Sequence, residues 1–185
     1  MGRRLNISRA AVNKHIRKLR ECEIVIESAS GIGYRWIKDN AVNEYGVRYH
    51  LRQLKREINV VFKPTESTNT DAKALSMDNS EDLLVVAPYQ TEGRGRLDRK
   101  FISNKGGAYF SLVINDSGLP VATVMRTVLV AGLAVRDALM DYGIESELKW
   151  PNDVMISGRK VSGILLELIA SGETADKIIM GIGIN

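Results

Sequence analysis

Three segments of this 185-residue chain combine residue types and spacings that could carry chemistry. Residues 89–103 (YQTEGRGRLDRKFIS) alternate two glycines with two arginines: Gly93, Arg94, Gly95 and Arg96. Glycine lets the backbone approach a ligand closely and the arginines bring positive charge, so this loop suits an anion. Taken alone, it reads more simply as a flexible basic surface loop. It lacks the G-x-x-x-x-G-K-[ST] phosphate signature, and a dinucleotide fingerprint from Gly93 would need glycine where Asp98 stands. Residues 149–167 (KWPNDVMISGRKVSGILLE) set Lys149 and Trp150 at a strand end, then turn chemistry in Pro151, Asn152 and Asp153, then a tight hairpin turn at Ser157, Gly158 and Arg159. A strand-end lysine aimed at a cleft could hold a carboxylate or phosphate. The simpler alternative is an exposed strand terminus with Asn152 and Asp153 capping the turn. Residues 66–73 (ESTNTDAK) offer Ser67, Thr68 and Asn69, whose hydroxyl and amide groups could bind a neutral polar ligand or begin a helix.

The elements that must position these segments follow from hydrophobic periodicity. Strands are expected near 59–63, 83–87, 108–114, 146–150, 153–156, 160–169 and 177–184. A helix is expected across 122–141, apolar on most faces and therefore buried. This predicts a mixed α+β body. Ahead of it, residues 6–21 predict a helix capped by Ser8, with Val12, Ile16 and Leu19 as one apolar stripe and Asn13, Lys14, Arg17, Lys18 and Arg20 on the other side. A short strand over 23–27, a turn over 28–33 and a strand over 34–37 complete a hairpin. Helix followed by hairpin is the rear half of a winged helix-turn-helix. In that module Ser8, Arg9 and Asn13 face base edges, while Lys14 and Arg17 meet phosphates.

Composition agrees with this division. Apolar residues make up 44% and charged residues 26%, an ordinary globular balance that excludes a disordered or fibrous chain. No apolar run approaches membrane-spanning length and no signal peptide is evident, so a cytoplasmic location is expected. The single cysteine, Cys22, excludes an internal disulfide framework, and His15 and His50 alone cannot build a multi-histidine zinc site. Residues 1–63 hold 14 basic and 6 acidic side chains, whereas residues 64–185 hold 12 and 16. A basic front on a mildly acidic body is the pattern of a nucleic-acid-binding module joined to something else.

The order S-T-N, Y-Q-x-x-G-R-G-R, K-W-P-N-D, G-R-K-x-x-G-I-L-x-E and G-I-G-I-N closely resembles the biotin protein ligases, and the helix and hairpin in front resemble their bifunctional members that also repress the biotin operon. The resemblance implies a catalytic domain like the class II aminoacyl-tRNA synthetases over 58–185, a connector over 39–57 and a partial winged helix over 1–38. It implies biotin, ATP and Mg2+ as reactants and cofactor, biotinyl-5′-AMP as intermediate, and a lysine of biotin carboxyl carrier protein as acceptor. Further partners would be operator DNA and a second copy of the chain once the adenylate is bound.

Residue by residue, the resemblance gives Ser67, Thr68, Asn69 and Gln90 to the ureido ring of biotin, and Gly163, Ile164 and Leu165 to its thioether ring. Arg94 and Gly95 belong to the loop over the adenylate, with Arg96 and Lys149 at the carboxyl–phosphate junction. Arg94, Arg96 and Lys149 are the expected catalytic cations. Arg99, Phe101, Asn152, Asp153 and Asn185 fall on the nucleotide side, and no metal ligand is assigned. Two positions depart from the pattern: Asp98 replaces a common glycine, and Phe101 replaces the usual tryptophan. Complete members also carry helical residues before the recognition helix and continue past the position of Asn185, so the chain is expected to be a fragment or truncated product. Its apolar stripe would then be uncovered and its DNA binding weak and largely non-specific. The alternative readings are a ligand-sensing DNA-binding regulator without ligase activity and a lipoate ligase or octanoyl transferase.

Overall fold

The computed structural model describes residues 6–21, 24–37 and 42–185, in two compact units divided between Asn43 and Glu44. Cys22, Glu23 and residues 38–41, where the predicted hairpin starts and the connector begins, lie outside the described residues.

In the first unit, helix α1 (Arg9–Glu21) starts where its cap residue stands, with Ser8 Oγ accepting the backbone N–H of Ala11 at 3.1 Å. Val12 and Ile16 are buried, contrary to the expected uncovered stripe. Strands β1 (Ile26–Ala29) and β2 (Gly33–Trp36) form the antiparallel hairpin, with Ile26 opposite Trp36 and Ala29 opposite Gly33. Its first strand lies closer to the turn than predicted, because left-handed backbone at Gly31 and Gly33 tightens that turn. The hairpin is tied to α1 by Tyr34, whose hydroxyl donates to Asn13 Oδ1 at 2.6 Å, and by Arg20, which donates to the Ile26 carbonyl at 2.8 Å.

The second unit runs α2 (Glu44–Leu51), β3 (Asn59–Phe62), α3 (Thr68–Met77), β4 (Leu83–Ala87), β5 (Ala108–Pro120), α4 (Val121–Met140), β6 (Glu147–Lys149), β7 (Asp153–Ile156), β8 (Arg159–Ser171) and β9 (Thr174–Ile184). One seven-stranded sheet has the order β3-β4-β5-β9-β8-β7-β6. Its β3–β4 pair is parallel, joined by α3 as a crossover, and its other neighbours are antiparallel. The mixed α+β class is therefore observed. Strand β5 runs on to Pro120, beyond the predicted 114. The extension carries Asn115, Ser117 and Gly118, which read as a turn, and its pairing with β9 shifts register between Asn115 and Leu119.

Strand alternation gives the sheet two working faces. On one, Leu83, Val85, Val113 and Ile179 pack with Ala72 of α3. On the other, Ile164, Leu166, Ile178 and Met180 pack with Val124 and Val128 of α4. Helix α4 is buried only along Val124, Val128, Gly132 and Val135. Met125 and Val130 are more than half exposed, which corrects the expectation of an all-round buried helix. Among the described residues, no helix is long and apolar enough to cross a membrane.

Candidate functional site

The α3 face of the sheet carries a narrow cleft built on the first turn of α3. Ser67 caps the helix, its Oγ accepting the Thr70 N–H at 3.5 Å, so the same small polar residues that start the helix also line the cleft. The helix-start reading of this segment is therefore observed. The Thr68 N–H donates to Gln90 Oε1 at 2.7 Å, and Gln90 Nε2 donates to Ser103 Oγ at 2.7 Å. Ser111 Oγ lies 2.8 Å from Thr68 Oγ1 and 2.6 Å from Asn69 Oδ1. Asn69 Nδ2 donates to Glu167 Oε2 at 2.9 Å. Ser67, Thr68, Asn69, Ser103 and Ser111 are all buried, so this chain of partners is what makes burying so many polar groups tolerable.

Glycines open the floor. A β-carbon at Gly181 would collide with Asn69 Oδ1, and one at Gly183 with the Phe101 ring. At Gly163 it would stand 3.0 Å from Phe101 Cε2 and 2.9 Å from Lys160 Nζ. The Phe101 ring therefore seats on bare backbone of β8 and β9, T-shaped against Tyr109 with the ring centroids 6.5 Å apart. With the ring there the remaining cavity is about 40 Å³. Burial pushes the Tyr109 phenol up, keeping it a neutral donor, and it bonds the Asn104 carbonyl at 2.8 Å and Asn185 Oδ1 at 2.7 Å.

The arginine loop crosses the mouth as a small hairpin: the Phe101 N–H donates to the Gly93 carbonyl and the Gly95 N–H to the Arg99 carbonyl, both at 2.7 Å. Arg94 lies 3.6 Å from Glu167, and Arg96 NH1 donates to Asn152 Oδ1 at 3.4 Å. Asn152 is anchored in turn, its Nδ2 donating to the Ile164 carbonyl at 2.9 Å. Leu97 and Asp98 both take left-handed backbone, at φ 55° and 56°, which explains why a glycine would be at ease at 98.

A third cation lines the cleft, and it is Lys160. Its Nζ is 2.8 Å from Asp153 Oδ1 and 5.5 Å from the Phe101 ring centroid. Along β8 the residues on the cleft face are Gly163, Leu165 and Glu167, and simple alternation would continue to Val161. A register shift opposite Val154 and Met155 inserts one residue and turns Lys160 toward the cleft instead. Lys149, the cation expected from sequence, does not line this cleft. It sits exposed on edge strand β6 and lines an adjoining hollow with Val128, Leu129 and Gly132 of α4, which shares Asn152 and Ile164 with the cleft.

The other expected residues divide cleanly. Ser67, Thr68, Asn69, Gln90, Arg94, Gly95, Arg96, Phe101, Asn152, Gly163, Ile164 and Leu165 all line the one cleft. Asp153 lies behind Lys160 as its ion-pair partner, and Asn185 accepts from Tyr109. Arg99 contributes backbone to the loop, with its side chain outside the lining. Lys160, Ser103, Ser111 and Glu167 were not singled out from sequence. Gly181 and Gly183 were visible in the quoted G-I-G-I-N run, where glycine at alternate strand positions signals one face kept bare. On α1, Arg9, Asn13, Lys14 and Arg17 are exposed beside the cap residue Ser8, with Asn13 oriented by Tyr34. Among the described residues, no three His, Cys, Asp or Glu side chains cluster closely enough to hold a metal ion.

Comparison with known proteins gives two domain matches: an HTH domain over residues 1–35 and the biotin/lipoate A/B protein ligase family over residues 61–185. The bifunctional ligase/repressor BirA of Bacillus subtilis is 36% identical over 186 residues, covering 98% of this chain and 57% of the relative. The biotin–[acetyl-CoA-carboxylase] ligase of Paracoccus denitrificans is 40% identical over 124 residues, covering 65% of this chain and 51% of its own. The structure of biotin protein ligase from Aquifex aeolicus in complex with biotin and ATP aligns with a TM-score of 0.57 at 42% identity, covering 69% of this chain and 52% of the other. This chain thus spans little more than half the length of these relatives. With two-thirds of its residues inside the family match and the motifs gathered on one cleft, the chain belongs to the biotin/lipoate A/B protein ligase family.

Proposed function

We propose that this chain activates biotin with ATP and passes the biotinyl group to a lysine of a biotin carboxyl carrier protein. The observation that carries this reading is a single slot with two chemistries. Ser67, Thr68, Asn69 and Gln90 present neutral amides and hydroxyls at one end, and Arg94, Arg96 and Lys160 gather positive charge at the other. That polarity suits a ligand with a neutral hydrogen-bonding ring and a carboxylate that becomes joined to phosphate.

The reaction needs no strong base. A biotin carboxylate oxygen attacks the α-phosphorus of ATP, the bond to the bridging oxygen breaks, and pyrophosphate leaves. Alignment and fixed cations do the catalytic work. Arg96, held by Asn152, and Lys160, held by Asp153, meet the growing negative charge at that junction. In the second step the lysine amine attacks the acyl carbon, AMP leaves with the bonding electron pair, and the amine's proton passes to solvent. Gly163, Ile164 and Leu165 flank the thioether ring. Phe101 and Asn185 mark the nucleotide side. Mg2+ would arrive with the phosphates and neutralise them; Asp153 is the nearby carboxylate able to touch it, so phosphate oxygens and water would supply its other ligands.

The first unit is read as the DNA-binding module of a repressor. Ser8, Arg9 and Asn13 face base edges, Lys14 and Arg17 meet phosphates, and Tyr34 fixes Asn13 for readout. Operator binding by adenylate-linked homodimers, and a cytoplasmic site of action, belong to the same reading. Isotopic exchange of pyrophosphate into ATP, run with biotin, lipoate or neither, tests it. Exchange with biotin alone is expected. Biotin binding without exchange would replace it with a sensing regulator, and exchange with lipoate with a lipoate ligase.

A further inference from the structure

Glu167 lies one step past the cleft on β8 and does not line it, yet its carboxylate touches two groups that do. Oε2 accepts the Asn69 Nδ2–H at 2.9 Å, and Oε1 stands 3.6 Å from Arg94 NH1. The first contact, together with the Leu165 carbonyl 3.5 Å from the same Nδ2, sets the sense of the Asn69 amide. An ionised carboxylate only accepts, so the NH2 end of Asn69 must face it. The carbonyl end then faces Ser111 Oγ at 2.6 Å and lies over the bare backbone of Gly181. The second contact holds the arginine loop to the sheet at Arg94, while Arg96 holds it to Asn152 at 3.4 Å.

We infer that Glu167 is a positioning residue that couples the amide at the neutral end of the cleft to the loop carrying its cations. The ligand's identity rests on the function proposed above, but the coupling is between groups of this chain. A glutamine at 167 can still fill the space. It offers both donor and acceptor, so it leaves only the longer Leu165 carbonyl contact to hold the amide's sense, and it has no charge for Arg94. Because coupling is reciprocal, a held loop should tighten whatever Asn69 binds by the same factor by which that ligand tightens the loop.

Two readouts test this. In the first, no ligand is added: the full chain is digested with limiting trypsin and cleavage within 94–99 is timed by mass spectrometry. Cleavage after Arg159, in the β7–β8 turn, serves as internal control. Glu167→Gln should speed loop cleavage at least about fivefold, the lower end of ordinary coupling, and leave Arg159 unchanged. Arg94→Gln should speed cleavage after Arg96 and Arg99 similarly, and adding it to Glu167→Gln should give no further increase. In the second readout, Glu167→Gln should raise the KM for biotin about tenfold while kcat for exchange falls less than about twofold. Glu167→Asp, which keeps the charge, should recover part of both effects.

Loop cleavage within about twofold of the parent in folded Glu167→Gln, or full additivity with Arg94→Gln, overturns the coupling. Equal losses in kcat and affinity that track a lowered melting temperature would reduce Glu167 to a structural residue. If Glu167→Gln does not fold, the comparison of Glu167→Asp with Arg94→Gln decides by the same two readouts. Failure of the parent to use biotin would remove the functional reading and leave the trypsin result standing by itself.

Discussion

The two ends of the cleft are built on different physical terms. At the neutral end, Thr68, Asn69, Gln90, Ser103 and Ser111 are held by hydrogen bonds of 2.6 to 2.9 Å, and four of the five are buried. At the cationic end, Arg94 and Arg96 sit on a surface loop and reach their partners at 3.6 and 3.4 Å. The first end is fixed by short, mostly buried hydrogen bonds; the second is held by longer contacts on the surface. A buried polar network is costly to disturb because any orphaned group keeps its desolvation penalty, whereas a half-exposed ion pair contributes little until water is excluded around it. Rigid recognition and adjustable charge are thus placed side by side within one strand's length.

The largest effect should come from the cations, whose contribution appears in the transition state. Arg96→Ala and Lys160→Ala should each lower biotin-dependent pyrophosphate exchange by about 10²–10³-fold with little change in melting temperature. Lys149→Ala, outside the cleft, should cost less than about fivefold on the same scale. The reverse ranking in exchange assays would give the third cation's role to Lys149 and break the contrast. The neutral end should fail differently. Gln90→Ala strands the Thr68 N–H and takes the donor from Ser103 Oγ, which keeps only the Phe101 carbonyl, so chemical denaturation should show a loss of about 1–3 kcal/mol, with weaker biotin binding by calorimetry. A variant of unchanged stability would mean the network is less tightly wired than its distances indicate. The smallest effect belongs to the first unit: Ser8→Ala removes the α1 cap and should cost about 0.5–2 kcal/mol of local stability, read as faster amide exchange in residues 9–12, with pyrophosphate exchange untouched.

The neutral end was legible in the sequence because S-T-N is contiguous and its roles as cap and ligand group do not conflict. The sheet was legible where short apolar, β-rich runs stand between turn residues, as over Leu83–Ala87 and Asp153–Ile156. It was not legible past Ile114, where Asn115, Ser117 and Gly118 imitate a turn inside a paired strand. Lys160 was missed for a related reason: both Lys149 and Lys160 follow or precede turns, and only the inserted residue opposite Val154 and Met155 decides which one reaches the cleft. Sequence periodicity assumes an unbroken pleat, and bulges break it without a compositional mark. Glu167 was part of a quoted motif, but its two partners lie 98 and 73 positions away in the chain, beyond any local pattern.

Phe101, seated on the bare backbone of Gly163 and Gly183, is a competitor tethered to its own site. A ligand ring that takes the same seat must displace it, and a tethered group acts at the high effective concentration set by its short loop. The apparent affinity for such a ligand is then the intrinsic affinity reduced by the fraction of time the seat is vacated, while a ligand confined to the Ser67–Asn69 end is not reduced at all. Trimming the side chain at 101 should therefore tighten the one and leave the other unchanged, unless the displaced ring returns as a stacking partner, in which case the lost competition is offset by lost contact.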